Sequence, residues 1–149
     1  MLSPLSVREN TDGGAFLNNL MQGVLTCYDD PRYTPYHLNH STQVKGFRTI
    51  TEGDHRFYNN IFVGGKNEKD NYGLIVFDKS QWPIYAEDNI FCNGAKPMTG
   101  KEQGWIVEEV NLNIRIEETD GEVYLISDVN LNYPVNFKAK KICSERLGD

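Results

Sequence analysis

The sequence predicts an all-β chain in two parts: a stub of parallel β-helix, built from β-solenoid coils, followed by an antiparallel β-sandwich. Three observations predict it. A nine-residue pattern recurs at an offset of 41 residues. After Tyr72 the texture changes to short β-rich runs separated by turn signals. No window of about 11 residues or more carries helical periodicity.

The repeat aligns Ala15-Phe16-Leu17-Asn18-Asn19-Leu20-Met21-Gln22-Gly23 with Arg56-Phe57-Tyr58-Asn59-Asn60-Ile61-Phe62-Val63-Gly64. A weaker third copy, lacking the aromatic, reads Asp88-Asn89-Ile90-Phe91-Cys92-Asn93-Gly94. In a parallel solenoid each coil lays a short strand on that of its neighbour, so equivalent positions stack, and a corner Asn can pair its amide with the Asn above. The competing reading is two unrelated Asn-Asn turns in an antiparallel sandwich, since Asn tolerates the left-handed conformation. Between the first two copies, residues 28–53 form a long Tyr/His loop, too long for a plain solenoid turn and of the kind that often carries function. Residues 1–71 are therefore expected to be partial coils with that loop inserted.

Residues 72–149 are expected to be the sandwich region. Leu74-Ile75-Val76-Phe77, Trp82 to Ala86 and Asn89 to Cys92 read as its first strands, and Trp105-Ile106-Val107 as another. Leu112 to Glu117 alternates apolar and polar, as a strand with one solvated face does. Asp120-Gly121 is a hairpin-turn signal before Val123-Tyr124-Leu125-Ile126. Val135 to Ile142 supplies a last strand, with Pro134 at its start or on an edge because it cannot donate to a ladder.

Composition excludes several function classes. Fifteen basic against 21 acidic residues leave a net charge of −6, so the counterion-release term that drives nucleic-acid binding has no source. No run approaches the roughly 18 apolar residues of a membrane span, and Met1-Leu2-Ser3-Pro4 lacks a basic-then-apolar leader, which points to a cytoplasmic protein. Cys27, Cys92 and Cys143 are odd in number and widely spaced, as expected of reduced, packed thiols rather than a disulfide framework or a zinc site. No G-x-S-x-G, P-loop or G-x-G-x-x-G is present, and no cofactor is expected.

Chemistry-bearing residues concentrate near the loop. His37, His40 and His55 invite a metal reading, but an HxxH beside Pro and Asn supplies two ligands at most, without Cys or Glu at a diagnostic spacing, and no metal is expected. Tyr33, Tyr36, His37 and His40 offer flat stacking faces with hydrogen-bonding tips, which suits sugar rings. The same residues could equally tie the loop to the scaffold. Glu9, Asp12, Asp29, Asp30, Glu52 and Asp54 are available carboxylates, and glycoside hydrolysis needs two of them flanking one bond.

Taken together, Leu2-Ser3-Pro4, Gly13-Gly14-Ala15-Phe16, Tyr33-Thr34-Pro35-Tyr36-His37, His40-Ser41-Thr42 and the run from Gly53 to Gly64 resemble the late coils of glycoside hydrolase family 120 β-xylosidases over residues 2–65. Pro83 through Pro97 is similar to the entry into that family's outer β-sandwich, and residues 104–149 follow more loosely. The resemblance implies a right-handed β-helix and a retaining mechanism in which an Asp attacks the anomeric carbon and a Glu acts as acid then base. Those two residues normally precede the Leu-Ser-Pro segment, which places them before Met1. The chain is then expected to be the C-terminal fragment of a glycosidase acting on β-xylosides or related plant-polysaccharide oligosaccharides, inactive on its own. The family's coil before the Gly-Gly pair usually carries an acidic residue beside a Trp. Glu9 takes the acidic position here and no Trp accompanies it.

The expected substrate-binding residues are Glu9, Tyr36, His37 and His40, with Asn19 and Asn60 structural and no catalytic residue in the chain. The expected partner is a xylo-oligosaccharide-like carbohydrate. The alternatives are a non-catalytic carbohydrate-binding module, or a structural β module whose open coil edges favour a homo-oligomer.

Overall fold

The computed structural model describes residues 2–8, 13–28, 30–38, 41–51, 53–65, 72–100, 106–108 and 112–128. Its strands are β1 (Leu2–Arg8), β2 (Ala15–Leu17), β3 (Leu20–Thr26), β4 (Asp30–His37), β5 (Val44–Ile50), β6 (His55–Tyr58), β7 (Ile61–Val63), β8 (Ile84–Glu87), β9 (Ile90–Cys92), β10 (Ile106–Glu108), β11 (Arg115–Thr119) and β12 (Glu122–Ile126). A short 3-10 helix, Leu74–Lys79, lies between β7 and β8.

Two parallel sheets form the coil stack, one in the order β1-β3-β7-β9-β10 and the other β2-β6-β8. The register follows the repeat residue for residue: Phe16 faces Phe57 and Phe57 faces Ala86, while Leu20 faces Ile61 and Ile61 faces Ile90. Each coil turns a corner between its two strands at Asn18, Asn59 or Asp88, all with φ of 55–57°. Asn and Asp are the side chains that best tolerate this left-handed backbone.

The residue after each corner builds a ladder. Asn19 Nδ2 donates to Asn60 Oδ1 at 3.2 Å, and Asn60 Nδ2 donates to Asn89 Oδ1 at 3.0 Å. The backbone N–H groups of Asn19 and Asn60 donate to the same two oxygens, each at 3.0 Å. Asn60 and Asn89 also donate to the carbonyls of Phe16 and Phe57. Both are fully buried, and these bonds satisfy polar groups that would otherwise be costly inside the stack.

Inside the stack the repeat's aromatics lie one on another. Phe16 stacks on Phe57 at 4.7 Å between ring centroids and Phe62 on Phe91 at 5.2 Å. Met21, Leu25, Leu74, Phe77 and Met98 complete this core. On the outer side of the larger sheet, Val63 and Cys92 with the Leu20, Ile61 and Ile90 column are covered by Leu112 and Ile114.

The stack runs past residue 71. β8 and β9 pair in parallel with β6 and β7, and β10 continues on β9. The segments at 84–92, read above as sandwich strands, are coil strands of the third copy. The aromatic missing at Ala86 is supplied by Phe77, whose ring lies 5.3 Å from Phe57. Leu74 to Phe77 is a 3-10 helix rather than a strand, because a three-residue period puts Leu74 and Phe77 together on the buried side.

Within the segment expected to be a Tyr/His loop, β4 and β5 pair antiparallel as a hairpin. Antiparallel pairing returns at β11 and β12, where Thr119 faces Glu122 across Asp120 and Gly121. Both turn residues have positive φ, the geometry the Asp-Gly signal demands. The final strand expected at Val135 to Ile142 and the third thiol, Cys143, lie outside the described residues.

Candidate functional site

The inserted hairpin has two unlike faces. In its register Thr34 faces Arg48, Pro35 faces Phe47 and Tyr36 faces Gly46. Strand alternation therefore groups Thr34, Tyr36, Gly46 and Arg48 on one half-buried side, and Tyr33, Pro35 and Phe47 on an exposed one. Gly46 lets the Tyr36 ring lie across β5, since a Cβ there would meet the ring's Cε1 at 3.0 Å.

The half-buried side is pinned to the coil stack by one cation. The Arg48 guanidinium sits 5.3 Å from the centroid of Tyr36 and 4.9 Å from that of Trp82, which lies in the segment entering β8. Trp82 is held from below by Gly53, where any Cβ would collide with the Trp82 backbone and Cβ.

Beside it, Asp54, Arg56 and Tyr85 form a second group on the outer face of the smaller sheet. Arg56 Nη1 donates to the Asp54 carboxylate at 2.7 Å and to the Asp54 carbonyl at 2.5 Å. Its guanidinium lies 4.8 Å over the Tyr85 ring. The register that sets Ala15 against Arg56 and Arg56 against Tyr85 brings these residues together in one column.

The expected binding residues are only partly in view. Tyr36 is on the half-buried face under Arg48, while His37, its neighbour on the strand, points to the exposed face. The His37 ring donates through Nδ1 to the Thr42 carbonyl at 3.1 Å, which ties it to the hairpin's own tip. Tyr36 and His37 therefore do not converge on one face. Glu9, which follows the last residue of β1, and His40 lie outside the described residues, as do Asp12, Asp29 and Glu52. His55, the third histidine, is fully buried. Its Nδ1 accepts from the Gly14 N–H at 2.9 Å, and Phe16, Phe57 and Phe77 surround the ring edge to face. Among the described residues, no three His, Cys, Asp or Glu side chains converge in a way that would hold a metal ion.

Sequence reasoning missed Arg48, Arg56, Trp82 and Tyr85. Only Tyr85, between Ile84 and Ala86 on β8, carried an alternation signal in the sequence.

No protein-family model matches this chain, and no curated protein matches it. Among solved structures, "The complex structure of XylC with xylose" is similar, with a TM-score of 0.71 and 29% sequence identity. The match covers 79% of this chain and 22% of that one. The two share a fold. This chain therefore spans about a fifth of the length of XylC.

Proposed function

We propose that this chain is the C-terminal part of a retaining glycoside hydrolase of the family 120 β-xylosidase type, acting on β-xylosides or related plant-polysaccharide oligosaccharides. The observation that carries the reading is the likeness to XylC, a protein whose structure was solved with xylose, at 29% identity over most of this chain. The hairpin supports it, because an aromatic and cationic side standing against the coils is the kind of wall a sugar groove needs.

In this reading Tyr36 and the Arg48 beside it form the groove wall, Glu9 and His40 supply hydrogen bonds to sugar hydroxyls, and His37, on the opposite face, acts indirectly by keeping the hairpin tip in shape. The two carboxylates of a retaining mechanism, about 5–5.5 Å apart, stand on coils outside this chain. The chain binds sugar and does not hydrolyse it.

Calorimetric titration of the 149-residue chain with xylobiose, with maltose as control, tests the reading. Saturable binding of xylobiose that Tyr36→Ala weakens, with no release of aryl from an aryl β-xyloside, is the expected result. A folded chain that binds neither sugar overturns it, and so does turnover that Glu9→Gln abolishes.

A further inference from the structure

The outer face of the smaller sheet carries a surface that the groove residues above do not include. Trp82 and Tyr85 are 42% and 44% exposed although a guanidinium covers part of each ring. On β8, Ile84 and Ala86 turn inward, so Tyr85 turns outward, directly beside Arg56 in the pairing register. On the other side of Arg56 the column ends in Ala15, an exposed residue with a small side chain.

From this geometry we infer that Trp82, Tyr85, Asp54 and Arg56 form a stacking subsite for a neutral oligosaccharide. The inference rests on the glycosidase reading above. A pyranose ring has an apolar C–H face that lies on an aromatic ring and an equatorial belt of hydroxyls that needs donors and acceptors at the rim. Trp82 and Tyr85 supply the faces. Their Cα atoms are three residues apart, at most about 10 Å of extended chain, room for roughly two sugar units.

The rim is supplied by the ion pair. Asp54 Oδ1 is taken by Arg56, while Oδ2 has no protein partner among the described residues and is an acceptor for a hydroxyl. The remaining N–H groups of Arg56 are donors. The pair cancels its own charge, which favours a neutral sugar over an acidic one. It is also preorganised. Two hydrogen bonds and the Tyr85 ring hold Arg56, and the left-handed backbone at Asp54, with φ of 55°, fixes where the carboxylate stands.

The test is titration of the full chain with xylotriose, read by saturation-transfer NMR and by tryptophan fluorescence. Trp82→Ala and Tyr85→Ala are each expected to raise Kd about tenfold, Asp54→Asn a few-fold, and Tyr85→Phe hardly at all, because it keeps the ring. Thermal melting of each variant separates loss of binding from loss of fold, and Tyr85→Phe against Tyr85→Ala is informative even if Trp82→Ala melts. Unchanged Kd in both aromatic truncations, with Tyr36→Ala still weakening binding, overturns the subsite and leaves the glycosidase reading intact. Absence of saturable binding in the wild-type chain overturns both.

Discussion

Replacing Asn60 by alanine should destabilise this fold strongly, and far more than the matching replacement of Asn19. Asn60 is fully buried, and its side chain makes four hydrogen bonds: it accepts from the Asn19 N–H and Nδ2, and donates to the Phe16 carbonyl and to Asn89 Oδ1. Truncation leaves the Asn19 N–H and the Phe16 carbonyl without these partners, while Asn89 Oδ1 keeps the Asn60 N–H. Each buried group left unsatisfied costs about 1–3 kcal/mol, and adding the lost packing gives about 3–5 kcal/mol in all. Against an ordinary domain stability of about 5–15 kcal/mol this is severe.

Asn19→Ala should cost about 1 kcal/mol, because Asn19 is half-buried and Asn60 Oδ1 loses only one of its two donors. Asn89→Ala should cost about as much as Asn60→Ala, because it leaves the buried Asn60 N–H and the Phe57 carbonyl without these partners. Urea unfolding followed by circular dichroism measures the series. With a slope of about 2 kcal/mol per molar, Asn60→Ala moves the midpoint by roughly 2 M. A loss below about 1 kcal/mol for Asn60→Ala, or a larger loss for Asn19→Ala, refutes the ladder as a source of stability. Asn60→Asp sharpens the test through pH. A carboxylate there would face the Phe16 carbonyl and Asn89 Oδ1, both acceptors, so its folded-state pKa is raised above the unfolded value. That variant should be most stable below the unfolded carboxylate range and weaken as pH rises through the raised value.

Two further predictions concern the elements around the ladder. Gly64→Ala should destabilise by about 1–3 kcal/mol in the same urea assay, because the added Cβ is driven into the backbone of Asn93 and Ala95, which cannot swing aside. Arg48→Ala should leave the melting temperature within a few degrees but speed hydrogen exchange in β4 and β5 and shift Trp82 emission, since each cation–π contact at an exposed site contributes about 0.5–1 kcal/mol, the Tyr36 contact tying β4 to β5 and the Trp82 contact tying the hairpin to the coils. Unchanged exchange in the hairpin would show that Arg48 does not hold it.

The coil stack was legible because its determinants are local and repeated. Left-handed corners restrict residue type strongly, and the ladder needs Asn at one position of every coil, so Asn18-Asn19 and Asn59-Asn60 carry the register between them. The third coil was harder to read. Asp88 replaces the first Asn of the pair, and the core aromatic comes from Phe77, ten or so positions earlier in a different kind of element. Leu74 to Phe77 was misread for a related reason: four apolar residues in a row fit a buried strand and a short helix equally well, and only the space between the sheets decides. The hairpin was hidden by its two prolines, Pro31 and Pro35, and by the lack of a tight Asn-Gly or Asp-Gly turn between its strands.

The candidate site was less legible than the fold. Tyr36 and His37 look like one binding cluster in the sequence, yet adjacent strand residues face opposite ways, and recognising this requires knowing that the segment is a strand. Arg48 with Trp82, and Arg56 with Tyr85, are brought together by hairpin docking and by coil stacking at separations of about 30 residues. No short motif records either pairing.

The most direct test of the central claim is a competition experiment by saturation-transfer difference NMR, with xylobiose, cellobiose and maltose in equal amounts over the folded 149-residue chain. The sugar-groove reading predicts transfer to xylobiose protons above the other two, reduced by Tyr36→Ala. Equal transfer to all three, or none to any, would contradict it.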